Sequence, residues 1–141
     1  MDAATRERLG GMFCGWYFRR DEPTRVIDFA AGDVSEDADP VRVRDVASEV
    51  MQERLATAGV HPDGTSIWSR ISTAVERFRG CGCVILIVPV WNVDGRELLH
   101  DGTHRACAVY LLDPPRVELD VLSLGTPDLA RPDVQAILRA S

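Results

Sequence analysis

Lysine is absent from this chain of 141 residues, because all sixteen of its basic side chains are arginines. The absence excludes Schiff-base chemistry, a phosphate-binding loop lysine and a lysine general base. The permanent positive charge for phosphate or carboxylate ligands must therefore come from guanidinium groups, whose fork of donors suits both anions.

Basic tracts and long apolar runs are also missing. Twenty-two acidic residues give a formal net charge of −6, which disfavours a nucleic-acid partner. No apolar run approaches the length of a membrane span, and no basic region followed by an apolar segment opens the chain. We therefore expect no membrane partner and a cytoplasmic location.

Four cysteines are present, and in a cytoplasmic protein we expect them to be reduced. The spacing of Cys81 and Cys83 fits neither a zinc knuckle nor a redox pair. His100, His104 and Cys107 have a spacing that could hold a transition metal, but Cys107 lies in an apolar stretch typical of a core thiol. A metal site of this kind is not favoured.

The hydrophobic periodicity predicts one α+β domain, in which a small mixed sheet is packed with helices. It divides the chain into an irregular N-terminal segment (1–40), a core (41–124) and a C-terminal helical segment (125–141). The predicted strands are Arg25–Phe29, Cys83–Val93, 96–100 and 116–124, and the predicted helices are Asp45–Ala58, Ser66–Phe78, Thr103–Leu112 and a short one near Pro132.

The strand Cys83–Val93 is so apolar that we expect it to be central or covered on both faces. Pro89 within it requires a bulge or a locally free edge, since proline has no N–H for the ladder. Asp94 and Gly95 then predict a tight hairpin. The aromatic segment Phe13–Phe18 is either core, which we favour, or a partner surface.

The sequence HDGTHR, residues 100–105, lies between a predicted strand and a predicted helix. Gly102 permits a sharp turn, Thr103 can cap the helix, and the free N–H groups of a first helical turn attract anions. Arg105 in that turn opposes the helix dipole unless an anion is bound there. The alternative is that Arg105 pairs with Asp101 or with another acid nearby.

Three further side chains of this turn carry acid or base groups. Asp101 can accept a proton or bind magnesium, or it can be an ordinary turn aspartate. His100 and His104 carry imidazole groups, which suit proton transfer or phosphate contact. For His100 we favour a structural role.

The stretch LLHDGTHRACAVYLL, with an apolar hairpin before it and RVELDVLSL after it, resembles the ParB/sulfiredoxin-like superfamily, in its free-serine-kinase-type variant. The resemblance implies that Asp101, Gly102, His104 and Arg105 occupy motif positions that bind nucleotide phosphates. Thr103 stands where sulfiredoxins have cysteine, which argues against sulfinic acid reduction. The kinases use an upstream glutamate as base, and Glu36 in the acidic loop Ala30–Pro40 is the candidate, with Asp28 and Asp33 close behind.

Three functions follow as hypotheses. The first is a small-molecule phosphotransferase or nucleotide-hydrolysing enzyme that uses ATP or ADP with Mg²⁺, with Asp101, His104 and Glu36 as catalytic residues and residues 102–105 as phosphate site. The second is a nucleotide-independent isomerase, lyase or cyclase of a biosynthetic pathway, without cofactor, that binds a carboxylate at Arg105 and uses Asp101 with His104 as an acid/base pair. The third is a non-catalytic partner-binding protein. We expect a small-molecule substrate in the first two cases and leave homodimer formation open.

Overall fold

The computed structural model describes residues 1–20, 22, 26–28 and 38–140. In these ranges the helices are α1 (Ala3–Gly11), α2 (Glu49–Thr57), α3 (Ile67–Phe78), α4 (Thr103–Leu112) and α5 (Pro132–Arg139), with a 3₁₀ helix at Val43–Ala47. The strands are β1 (Phe13–Arg19), β2 (Val26–Asp28), β3 (Ala38–Arg42), β4 (Cys83–Val93), β5 (Arg96–Leu99) and β6 (Arg116–Ser123). None of the helices in the described ranges is long and apolar enough to cross a membrane.

The strands form one mixed sheet in the order β2-β1-β5-β4-β6, with β3 also paired to β1. β4 runs antiparallel to β5 and parallel to β6, and β5 runs parallel to β1. The α+β class with a mixed sheet is therefore confirmed.

The sheet has two faces with separate cores. The larger core joins alternate residues of β1 and β4, such as Trp16 and Leu86, to side chains of α1, α2, α3 and α4. The smaller core joins Tyr17 and Val93 on the opposite face to Val134 and Ile137 of α5. The helix α4 that carries the HDGTHR sequence thus packs on the same sheet face as α3.

Several predicted elements are confirmed. The helices α3 and α4 and the strands β4, β5 and β6 lie within a residue or two of their predicted bounds, and α5 starts at Pro132. Asp94 and Gly95 form the tight turn, with φ angles of 51° and 82°. The aromatic side chains Phe13, Trp16, Tyr17 and Phe18 are all buried, so this segment is core.

The first twenty residues are more regular than predicted. They form α1 and β1, and Leu9 and Cys14 belong to the larger core, so the interior is not confined to residues 41–124. Ala38–Pro40, predicted as the end of an acidic loop, is part of β3. Of the predicted strand Arg25–Phe29, the described residues Val26–Asp28 form β2, and Arg25 and Phe29 lie outside the described residues.

The helix predicted from Asp45 to Ala58 is in fact two pieces. Val43–Ala47 is a 3₁₀ helix, and α2 starts only after Ser48, whose hydroxyl accepts a hydrogen bond from Met51 N. Asp45 instead accepts from the backbone N of Arg42 at 2.8 Å. Val46 of the 3₁₀ helix and Leu55 of α2 are both buried, whereas Val50, expected on the buried face of one continuous helix, is 63% exposed.

The strand β4 is central but is covered on one face only. Val84, Leu86 and Val88 are buried, whereas the alternate side chains Ile85 and Ile87 are 65% and 48% exposed. Pro89 needs no bulge, because the register of β4 with β5 ends beside it, at Val90 and Leu99, and the Pro89 carbonyl still accepts a hydrogen bond from His100 N.

Candidate oxyanion-binding site

The turn before α4 is built around Gly102. Its φ angle of +75° is a left-handed conformation that glycine adopts without steric cost. Gly102 is also the N-cap residue and α4 starts at Thr103, so Thr103 does not cap the helix as predicted. Within the described residues no side chain caps α4, and its first turn therefore keeps N–H groups for solvent or a ligand.

Arg105 folds back over this turn. A methyl group in place of the Gly102 hydrogen would lie 3.1 Å from Arg105 Nη2, which places the guanidinium directly beside the start of α4. Arg105 is exposed, and it forms no ion pair with any acid in the part of the chain that the structure describes. The predicted alternative, pairing with Asp101, is not seen.

Asp101 makes a local turn contact. Its Oδ1 accepts a hydrogen bond from Gly102 N at 2.7 Å, and the side chain is exposed. Among the described residues no cluster of three or more potential metal ligands is formed. A magnesium ion at this place would have Asp101 as its protein ligand and would take its other ligands from phosphate and water, as this ion commonly does.

His100 has a structural role, as favoured from the sequence. Its Nδ1 accepts a hydrogen bond from Trp91 Nε1 at 3.2 Å, and the two rings meet edge to face at 5.9 Å. Its backbone N donates to Pro89 O at 2.9 Å, which continues the β4–β5 pairing past its last strand residue.

His104 packs on the core side of α4. Its ring centroid is 5.4 Å from that of Trp16 in β1 and 6.2 Å from that of His61. His61 Nε2 is buried and makes no hydrogen bond within the described ranges. The structure thus brings two imidazoles and an indole together directly behind the turn.

Sequence reasoning missed His61. The residue lies in the loop between α2 and α3, where His61 N donates to Thr65 O at 2.7 Å and Gly64 N donates to His61 O at 3.0 Å. Nothing in the local sequence VHPDGTS points to His104, which is far away in the chain. Only the packing of α3 against α4 makes the two rings neighbours.

The structure does not describe the side chains of the three predicted upstream bases, Glu36, Asp28 and Asp33. Glu36 and Asp33 lie outside the described residues. Asp28 is in β2, where its backbone pairs with Trp16, the residue whose ring contacts His104. Cys107 is fully buried with its Sγ 3.9 Å from Cys14 Sγ, the packing expected of a core thiol.

Comparison with known proteins gave no match to a family model, to a curated protein or to a solved structure.

Proposed function

We propose that the turn Gly102–Arg105 binds an oxyanion of a small-molecule substrate, and that the protein is a small-molecule phosphotransferase or nucleotide-hydrolysing enzyme acting on a phosphate bound there. The observation that carries the proposal is the position of Arg105. Its guanidinium lies beside an uncapped helix start and has no acidic partner among the described residues. Both features favour an anion at the same place.

The charge pattern supports a ligand rather than a structural role for Arg105. A cation in the first turn of a helix is opposed by the helix dipole, by about 0.3–1 kcal/mol at an exposed position. An oxyanion between the guanidinium and the first-turn N–H groups reverses that unfavourable term, because both sets of donors then point to one negative charge. No acidic side chain among the described residues neutralises the charge of Arg105.

In the phosphotransferase proposal, ATP or ADP with Mg²⁺ places its terminal phosphate on the turn. The acceptor's hydroxyl oxygen forms a bond to phosphorus, the bond to the bridging oxygen of the nucleotide breaks, and the acceptor's proton passes to a carboxylate. Arg105 stabilises the charge on the transferred group. Glu36 is the proposed base, and a ParB/sulfiredoxin-like fold and a cytoplasmic location belong to the same proposal.

A second candidate function rests on the contact between His61 and His104. Two imidazoles at this distance, backed by Trp16, suit proton abstraction and return on a substrate held by its carboxylate at Arg105. This would be a nucleotide-independent isomerase, lyase or cyclase, with Asp101 and His104 as the acid and base proposed from the sequence and His61 added to them.

Calorimetric titration with ADP, ATP and CTP, with and without magnesium, tests the first proposal. We expect binding that weakens by about tenfold or more in Arg105→Ala, since a charge-assisted fork contact is lost. Arg77→Ala is the matched control, because Arg77 is also exposed and lies in a helix, near its C-terminal end. It removes the same charge and should leave binding unchanged.

The outcomes separate the two candidates. Absence of binding by every nucleotide would reject the phosphotransferase. Binding of small carboxylates that is lost in Arg105→Ala but not in Arg77→Ala would then support the acid/base enzyme. If Arg105→Ala and Arg77→Ala bind every ligand with the same affinity, the Gly102–Arg105 turn is not an anion-binding site.

A further inference from the structure

A second concentration of arginines lies at the opposite end of β5 from Gly102. A cavity of about 260 Å³ opens between α1 and the β4–β5 hairpin, and Arg8, Arg42 and Arg96 line it together with Phe13, Gly95 and Glu97. The volume suits a small anion better than a nucleotide. Arg96 begins β5 and Gly102 follows its end, so this cavity is separate from the turn described above.

Arg42 is held in place without an acidic partner. Its guanidinium carbon lies 4.5 Å from the centroid of the buried Phe13 ring, a stacking arrangement that orients the fork. Within the described residues no carboxylate forms an ion pair with the Arg42 side chain, and nearby Asp45 accepts only from its backbone N. Burial lowers the pKa of Arg42, and the neighbouring charges of Arg44 and Arg96 lower it further, against an opposing effect of Asp45.

The acids near the cavity are either occupied or exposed. Glu97 accepts two hydrogen bonds from Arg8, at 3.0 and 2.9 Å, so this pair is neutralised internally. Asp94 occupies one nitrogen of the Arg96 fork: Arg96 Nη1 donates to Asp94 O at 3.3 Å and to Asp94 Oδ2 at 3.5 Å, and the Asp94 side chain is 80% exposed. Glu7 is the remaining acid of the lining and is exposed. Within the described residues, the Arg42 guanidinium and the Nε and Nη2 groups of Arg96 are therefore left to face a ligand.

We propose that this cavity binds a phosphate group, held between Arg42 and Arg96. Two neighbouring arginines favour a ligand with close to two negative charges, which a phosphate or phosphomonoester carries near neutral pH and a single carboxylate does not. The inference is independent of the function proposed for the Gly102–Arg105 turn, because it uses other residues at the opposite end of β5.

The test is titration of inorganic phosphate into the full ¹⁵N-labelled chain, with chloride at equal ionic strength as reference. We expect saturable shifts of the Gly95 and Gly11 amide signals, since both residues line the cavity. Arg96→Gln, on the hairpin, should weaken the apparent affinity by about tenfold or more. Arg42→Gln should do the same, and Arg42→Lys, which keeps the charge but not the fork, should weaken it less.

Arg77→Gln and Arg105→Ala are the controls, and both should leave these shifts unchanged. The proposal is overturned if phosphate causes no shift beyond chloride, or if Arg96→Gln and Arg42→Gln bind as the parent does. It is also overturned if Arg105→Ala alone abolishes the shifts, because phosphate would then belong to the Gly102 turn. If Arg42→Gln loses phosphate binding only because it unfolds, Arg96→Gln still tests the proposal, because the Arg96 side chain lies outside both cores and its replacement should not unfold the protein.

Discussion

Gly102 and Arg105 are fitted to each other: a Cβ at residue 102 would approach Nη2 of Arg105 to 3.1 Å, while the φ angle of +75° at Gly102 already disfavours any residue with a side chain. The backbone conformation and the position of the guanidinium therefore both depend on the same missing methyl group. A side chain at residue 102 should therefore lower stability by straining the backbone, and should weaken ligand binding by moving the Arg105 guanidinium.

For Gly102→Ala we expect the free energy of unfolding to fall by about 1–2 kcal/mol, the cost of a left-handed conformation for an L-residue. We also expect weaker anion binding, because the new methyl group displaces the Arg105 fork. Urea denaturation and calorimetric titration measure the two effects. Gly125→Ala is the control, since Gly125 has a φ angle of +86° with nothing within 4 Å of an added Cβ. The free energy of unfolding of Gly125→Ala should fall by a similar amount, and its anion affinity should not change. Weaker anion binding in Gly125→Ala would contradict the assigned role of Gly102.

The N-terminal cap of α3 should be worth more than that of α2. Ser66 Oγ accepts from Ser69 N at 2.9 Å and Ser69 Oγ accepts from Ser66 N at 2.9 Å, whereas Ser48 Oγ accepts from Met51 N at only 3.4 Å. We expect Ser66→Ala to lower the free energy of unfolding by about 1 kcal/mol and Ser48→Ala by less. Chemical denaturation of both variants checks the order, and the reverse order would contradict it.

These two caps also illustrate what could be predicted from the sequence. Ser66 precedes a clear helical stripe, so both the start and the length of α3 could be predicted. The start of α2 could not, because Asp45 is a suitable cap residue by type, but its carboxylate accepts from Arg42 N before a 3₁₀ turn, and Ser48 caps α2. Local patterns report burial, not the type of helix that achieves it.

The remaining differences concern contacts between distant segments. The apolar run of β4 predicted a strand buried on both faces. On one face the helix α5 packs only near Val93, at the C-terminal end of β4, and Ile85 near the other end is 65% exposed. The turn at Gly102 could be predicted from six consecutive residues. The neighbourhood of His61 and His104 could not, since it arises only when α3 packs on α4.

The four cysteines should fall into two classes of reactivity. Cys14 and Cys107 are buried, and burial raises the pKa of the Cys14 thiol well above its usual value, with the adjacent Cys107 thiol adding to the effect. Cys81 and Cys83 are exposed. Because the thiolate is the reactive form, an aromatic disulfide reagent should titrate two thiols quickly in the native protein and all four after denaturation.

A variant with Cys81→Ser and Cys83→Ser together provides the control for this assignment. It should show no fast thiol under native conditions and should unfold at the same denaturant concentration as the parent. Fast reaction of Cys14 or Cys107 in this variant would show that β1 and α4 separate readily, contrary to their shared core.

Asp63 should make the protein sensitive to acid. Its carboxylate accepts from Thr65 Oγ1 at 2.6 Å and from Thr65 N at 2.9 Å, and these hydrogen bonds, with the nearby Arg70 charge, lower its pKa from 3.8 to about 2. A folded-state pKa below the unfolded one stabilises the protein above pH 3.8, and that contribution is lost as the pH falls from 3.8 through about 2. Asp63→Asn should flatten this part of the stability profile, and a carboxyl titration of Asp63 at its ordinary value by NMR would contradict the assignment.

His61 offers a way to separate function from stability. Its Nε2 is buried without a hydrogen bond in the described part of the chain, and a buried polar atom of this kind costs free energy. Replacing the imidazole with the apolar ring of His61→Phe should therefore leave the free energy of unfolding unchanged or raise it by up to about 1 kcal/mol. If His61 moves a proton together with His104, the same variant should lose turnover while carboxylate binding at Arg105 persists. A fall in stability of about 2 kcal/mol or more would instead mark His61 as a structural residue of the loop between α2 and α3.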